Sequence, residues 1–347
     1  MKKNMTNVNK KRKIIKINND DDDYDNSDYF KIEDYKIIDL KSLINLTYDL
    51  INKDPPPKKL KRKLPQKIYK LIDILEPLET LNNLIGLSKL KDQLLEQLLY
   101  FVQGNNDNIM LHTVIEGPPG TGKTTVANLM SEIYAGIGIL KKKKCNVIKR
   151  EDLIGQFLGE TTIKTMETLD YCKNGVMLID EAYSLGSVDN RDSYAKEAID
   201  CINQYLTENA DKLICIIAGY KEELNECFFS QNKGLRRRFP WTFTIESFTR
   251  EELVEIFINK VNNTEDYELH DEVDTKFLQT KIKKEYFKGN AGDIENIISR
   301  AKIINSRVNF CKEENFILTK EIINEAFDKF YDTRKSNISK VPFMMYN

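Results

Sequence analysis

Long apolar runs are missing from this 347-residue chain: none reaches the roughly 20 residues that a membrane-spanning helix requires. Its first residues, Met1-Lys2-Lys3-Asn4, lack the hydrophobic stretch of a secretion signal, so a cytoplasmic setting is expected. Histidine is scarce, with only His112 and His270, and the six cysteines (Cys145, Cys172, Cys201, Cys215, Cys227 and Cys311) form no C-x-x-C pair. That spacing speaks against a zinc site and for reduced thiols. Excess charge of one sign is also absent. Lys and Arg number 53 against 54 for Asp and Glu, a net charge of -1, which argues against a dedicated nucleic-acid binder. What remains is a 41% hydrophobic, 31% charged chain, long enough for two or three packed units of about 100–200 residues each.

Residues 1–35 carry a basic run (Lys10-Lys11-Arg12-Lys13) and then an acidic one (Asp20 to Asp23) with no helical or strand period, the pattern of a disordered tail. Residues 36–80 read as a helical extension: an amphipathic helix from Leu40 to Ile51, then a linker around Pro55-Pro56-Pro57. The basic stretch 58–63 of that linker can also serve as a nuclear address. Apolar residues recur at helical spacing from Gln66 to Gly104. Short apolar runs at Leu111–Ile115, Cys145–Ile148, Val176–Ile179, Leu213–Ala218 and Trp241–Ile245 then alternate with helix-length segments, which predicts a mainly parallel sheet covered on both faces over 81–248. After Phe248 the strand signals stop. Thr249-Arg250-Glu251-Glu252 is a capping box, and helices are expected at 250–262, 272–287, 293–310 and 319–332, making 249–334 an all-helical domain followed by a flexible tail, 335–347.

The chemistry begins at Gly117-Pro118-Pro119-Gly120-Thr121-Gly122-Lys123-Thr124, a full G-x-x-x-x-G-K-[ST] match placed directly between a predicted strand and a predicted helix that opens with Thr125. Glycines let successive backbone N–H groups curl toward phosphate oxygens, and the helix that follows adds its positive end. Lys123 supplies a cation for the β and γ phosphates, and the Thr124 hydroxyl is placed for Mg²⁺. The complementary half is Val176-Met177-Leu178-Ile179-Asp180-Glu181, where a buried strand delivers two carboxylates to the sheet edge at which α/β ligand sites form. Asp180 is then the metal-shell candidate. Glu181 is the candidate base for an attacking water, a role worth about 10²–10⁴ in rate.

The order of motifs from Leu81 to Ala301 resembles the CbbX-like (CfxQ-like) subfamily of AAA+ ATPases. Leu84-Ile85-Gly86-Leu87 resembles its adenine-side segment, with Ile85 and Gly86 as contacts. Ile179-Asp180-Glu181-Ala182-Tyr183 is similar to its Walker B ending, and Ile217-Ala218-Gly219-Tyr220 to its sensor 1 strand. Gly234-Leu235-Arg236-Arg237-Arg238-Phe239 resembles the arginine-finger box, and Gly289-Asn290-Ala291 the start of the sensor 2 helix. The resemblance implies an α/β P-loop core with a parallel sheet flanked by helices, a C-terminal all-helical lid, ATP and Mg²⁺ as cofactors, and self-assembly into a hexameric ring acting on a protein client. It also implies that Arg238, with Arg236 as second cation, serves a neighbour's γ-phosphate, a contribution worth about 10³–10⁵ in turnover. Gly155-Gln156-Phe157-Leu158-Gly159 resembles the first pore loop, in which Phe157 and Leu158 grip the client, and Asp189-Asn190-Arg191-Asp192 falls where a second would lie. The chain departs from the pattern where Gly292 and Glu295 stand in place of arginines in the sensor 2 helix, and Lys233 in place of proline. Those departures support a second reading, an ATP-dependent assembly scaffold with slow hydrolysis.

Overall fold

Val114, Ile115, Ile216 and Ile217 are completely buried, because the strands that carry them have neighbours on both edges and helices on both faces. In the computed structural model, which describes residues 35–52, 66–103, 109–157, 159–186, 192–264, 266–310 and 316–338, these strands form the centre of a five-stranded parallel sheet. β1 (Thr113–Glu116) pairs with β4 (Ile214–Gly219) on one side and β5 (Trp241–Thr244) on the other, with Val114 opposite both Ile217 and Thr242. β2 (Cys145–Ile148) and β3 (Val176–Ile179) complete the order β2-β3-β4-β1-β5. The edge strand β2 alternates, with Ile148 buried and Val147 exposed, as a strand covered on one face should. All five strands fall within two residues of the runs expected from the sequence.

Helix α4 (Lys123–Gly136) follows β1, the short α5 (Arg150–Leu153) and α8 (Lys221–Glu223) follow β2 and β4, and α6 (Glu160–Cys172) and α7 (Ser193–Glu208) connect the later strands. A core cluster joins Met177, Cys215 and Ile217 of the sheet to Leu169, Ala198 and Ile202 of these helices. The helical layer before the sheet comprises α1 (Leu40–Asn52), a 3₁₀ segment at Gln66–Ile74, α2 (Leu75–Asn83) and α3 (Ser88–Val102). It packs on α4: Tyr134 of α4 is fully buried and donates to Gln97 Oε1 of α3 at 2.7 Å. At Gly136 a Cβ would sit 2.2 Å from Ile74 Cγ2, so the layer seats directly against the end of that helix. Helix α2 runs through residue 80, the expected border between extension and nucleotide domain, and its Leu78 and Leu81 are both buried. The tail 1–34 and the basic segment 58–63 lie outside the described residues.

The lid starts at α9 (Arg250–Asn262), whose capping box is formed: Glu252 N–H donates to Thr249 Oγ1 at 3.2 Å and Thr249 N–H to Glu252 Oε2 at 2.7 Å. α10 (Thr275–Lys281), α11 (Ala291–Val308) and α12 (Lys320–Ile338) surround a second core in which Phe257 and Phe327 stack at 6.2 Å. Three details differ from expectation. The lid is not wholly helical, because β6 (Glu268–Leu269) and β7 (Ile317–Leu318) form a short parallel pair. The helix expected over 272–287 is confined to α10: Asp274 caps its start through Phe277 N–H, and past its end Lys283 N–H is taken by the Tyr331 hydroxyl at 3.2 Å instead of a helix carbonyl. α12 runs past residue 334, where the tail was expected to begin.

Candidate functional site

The phosphate-binding motif leaves the C-terminal end of β1 and enters α4 with Gly120 and Gly122 at φ of +67° and +84°, a region that favours glycine. Lys123 is folded over this turn, its Nζ donating to Gly117 O and Pro118 O, both at 2.9 Å. Burial pulls the Lys123 pKa down, while Asp180 and Glu181 oppose that pull. Thr124 Oγ1 donates to Asp180 Oδ2 at 3.1 Å, and the other Asp180 oxygen accepts Glu181 N–H at 3.0 Å. The two halves read separately in the sequence therefore meet across the β1–β3 edge. Glu181 itself is exposed and held at φ +51°, an unusual conformation for a glutamate, at the sharp turn after β3.

Two tyrosines complete this edge. The Tyr183 and Tyr220 rings lie 5.8 Å apart, and Lys123 Nζ sits 5.6 Å above the Tyr220 ring. Burial, then the nearby Glu181 carboxylate, push the Tyr183 phenol up to about 12. Tyr220, at the sensor 1 position, thus presents a ring face to the cation of the motif.

Ile85 lines a cavity of about 260 Å³ with Leu84, Leu87, Thr121, Thr125 and Phe248, open to Gly120 and Gly122. The loop before α3 is fixed by Lys91, which donates to Asn82 O at 2.9 Å and Leu84 O at 2.6 Å. Gly86 stands at φ +68° behind this cavity, and a Cβ there would meet Glu252 Oε1 at 2.7 Å. Lys91 had no signal in the sequence, because its two acceptors are backbone carbonyls defined only by the folded loop.

The remaining candidates lie on other elements than the phosphate turn. Arg236, Arg237 and Arg238 share one 3₁₀ turn, Leu235–Arg238. Arg236 is exposed, its guanidinium 4.6 Å over the Phe229 ring. Arg238 is half-buried, and its Nε has no hydrogen-bond partner among the described residues. Next to it His112 accepts Cys215 N–H on Nδ1 at 3.1 Å; burial holds its pKa down to about 4, with Arg238 adding to the effect. Phe157 is 68% exposed. Its loop is shaped by Glu160, whose Oε2 accepts the Gln156 and Phe157 N–H groups at 3.1 Å each. Leu158 and residues 187–191 lie outside the described residues; Asp192 caps α7 through Ala195 N–H at 2.9 Å and pairs with Arg150.

Relatives carry the same core. The AAA family, described as "ATPase family associated with various cellular activities", matches residues 113–240. A cfxQ-like protein of Acanthamoeba polyphaga mimivirus is 38% identical over 285 residues, 80% of this chain and 70% of that protein. The CfxQ homolog of Galdieria sulphuraria is 35% identical over 268 residues, 74% of this chain and 87% of its own length. Among solved structures, the FIGL-1 AAA domain in complex with ADP superposes with a TM-score of 0.51 at 18% identity, covering 74% of this chain and 88% of that one, which speaks for the fold alone. With a P-loop joined to its Walker B carboxylate on a β2-β3-β4-β1-β5 sheet, and relatives matched over most of both lengths, the chain belongs to the CfxQ-like family of AAA+ ATPases.

Proposed function

We propose that this ATPase works as a ring, a hexamer by analogy with its class, that hydrolyses ATP between subunits and uses the energy to remodel a protein client. The observation that carries the reading is the division of its site residues. The phosphate turn, Thr124, Asp180 and Glu181 are knit together inside one subunit, whereas Arg236 and Phe157 are exposed and Arg238 keeps an orphan donor. Groups of the second kind act on something outside the subunit.

Within the site, the backbone N–H groups of Gly117–Thr124 and the Lys123 ammonium take the phosphates, with Pro118 and Pro119 stiffening the turn and Thr125 beside the α-phosphate. Ile85 lines the cavity that would take the purine, and the adjacent Gly86 turns the chain there at φ +68°. Thr124 and Asp180 offer paired hard oxygen donors 3.1 Å apart, which suits Mg²⁺. Bound there, the ion would neutralise charge on the phosphate oxygens. Glu181, exposed at the turn after β3, orients and deprotonates the attacking water. Arg238, seconded by Arg236, stabilises the γ-phosphoryl charge on the adjacent subunit. Phe157 and Leu158 serve to grip the client, since an aromatic contact tolerates varied client sequence.

Among the described residues no helix is long and apolar enough to cross a membrane. Glu181→Gln protein incubated with ATP should assemble and retain its client in stoichiometric amounts, identified by mass spectrometry. Rings that retain nothing while hydrolysis by the parent is unaffected by any cell fraction would favour the scaffold reading, which the missing side chain at Gly292 supports.

A further inference from the structure

Among the described residues, the start of α11 meets the phosphate turn through a backbone amide and an asparagine side chain. Ala291 N–H donates to Gly120 O at 3.1 Å, and Asn290 Nδ2 donates to Pro119 O at 3.0 Å. The same Asn290 accepts Phe248 N–H on Oδ1 at 3.1 Å, at the junction where the sheet domain passes into the lid. Asn290 is 1% exposed and sits at φ +50°, ψ −125°, a conformation rare for any residue with a side chain. The surrounding structure enforces it: buried Asp293 accepts Gly289 N–H at 2.7 Å and is paired with Arg334 of α12. At Gly120 a Cβ would stand 2.1 Å from Gly289 O and 3.0 Å from Gly292 N, so the two backbones are in contact. At Gly292 a Cβ would meet nothing within 4 Å.

A trans peptide unit is planar, and its C=O and N–H point in opposite directions. The Pro119 carbonyl belongs to the peptide unit that carries Gly120 N–H, and the Gly120 carbonyl to the unit that carries Thr121 N–H. Holding these two carbonyls toward the lid therefore turns those two N–H groups the other way, into the phosphate cradle. We propose that Asn290 is a positioning residue which, together with Ala291 N–H, presets the Gly120 and Thr121 amides for phosphate and thereby couples nucleotide to lid in place of a side chain at 292. The coupling is reciprocal. A phosphate accepting from the two N–H groups polarises both peptide units and strengthens their carbonyls as acceptors for the lid.

The inference rests on reading Gly117–Thr124 as the phosphate cradle, and it is tested on the subunit's own nucleotide binding, independently of ring formation or client. Asn290→Asp keeps shape and the acceptor for Phe248 N–H, while removing the amide that donates to Pro119 O at 3.0 Å and to Lys288 O at 3.5 Å. It should bind ADP about tenfold or more weakly than the parent, the worth of a buried hydrogen bond replaced by a repulsion. Asn290→Gly, which suits the positive φ, should show the same loss if the aspartate variant does not fold. Hydrogen exchange on the parent is the second measurement. ADP should slow exchange of the Ala291 amide, whose hydrogen is already given to Gly120 O, and that slowing should vanish in the variants. Parental ADP affinity in Asn290→Asp and Asn290→Gly, or an Ala291 amide indifferent to ADP in the parent, overturns the assignment. Lys123→Ala separates the two layers: if it binds ADP as the parent does, the cradle reading itself has failed.

Discussion

The phosphate turn and the arginine turn both end strands or abut them, yet they are built on opposite plans. Lys123 makes two hydrogen bonds within its own loop, and Thr124 and Asp180 are joined side chain to side chain. Arg236 instead rests on the Phe229 ring, and Arg238 leaves Nε without a partner among the described residues. One site is internally satisfied and can be read from a single subunit. In the other, Arg236 donates to Thr242 Oγ1 at 3.4 Å but the buried Arg238 Nε goes unpaired among the described residues, a state that buried polar groups seldom keep without a role. On the proposed reading the first site binds nucleotide within one subunit and the second serves hydrolysis in its neighbour, so loss of the arginine should be separable from loss of binding by mutation.

The largest effect should come from Arg238→Ala. Steady-state hydrolysis should fall about 10³-fold or more, while nucleotide titration of the variant stays near the parental value. Loss of both together would place Arg238 inside its own subunit's site. Glu181→Gln should lower turnover by about 10²–10⁴ with binding retained. Parental turnover in that variant would reassign the base, with Tyr183, pressed against the same carboxylate, the first residue to examine.

Phe157→Ala should leave hydrolysis within about twofold of the parent and remove client remodelling, since an exposed aromatic contributes little to the subunit's own stability. A marked drop in thermal stability instead would assign the ring to packing. The smallest effect is expected at Gly292→Arg. A Cβ there has open space, so the longer side chain can be accommodated and should raise ATP affinity over ADP by several-fold, about the worth of an exposed-to-partly-buried charge contact. Nucleotide titration decides it, and an unchanged ratio would mean that α11 points this position away from the γ-phosphate.

Much of the sheet domain was legible because its signals are local. A four-residue apolar run such as Val176–Ile179 between helix-length segments, or the glycine spacing of 117–122, needs no knowledge of the rest of the chain. The capping box likewise marked α9 at its first residue. What escaped depends on residues far apart. Asp293 and Arg334 meet only once α11 and α12 have packed, and the pair helps carry α12 beyond the expected end at 332. Lys91 reaches carbonyls whose positions follow from the Leu84–Leu87 loop, and β6 and β7 are two residues each, too short for any period to show. Asn290 was visible as part of a family-like segment, but its positive φ and its grip on Pro119 were not, because both are imposed by the contact between lid and P-loop.

The central claim is that one subunit binds ATP and its neighbour supplies the arginine that fires it, and mixing two dead variants tests this most directly. Lys123→Ala subunits retain Arg238 but lack the phosphate cation; Arg238→Ala subunits retain the complete cradle. Each alone should be inactive. Mixed in equal amounts under conditions where mass measurement shows co-assembly, they should recover about a quarter of parental turnover, since on random assembly that share of interfaces pairs an intact cradle with an intact arginine. Mixed rings that stay as inactive as either variant alone would contradict the account.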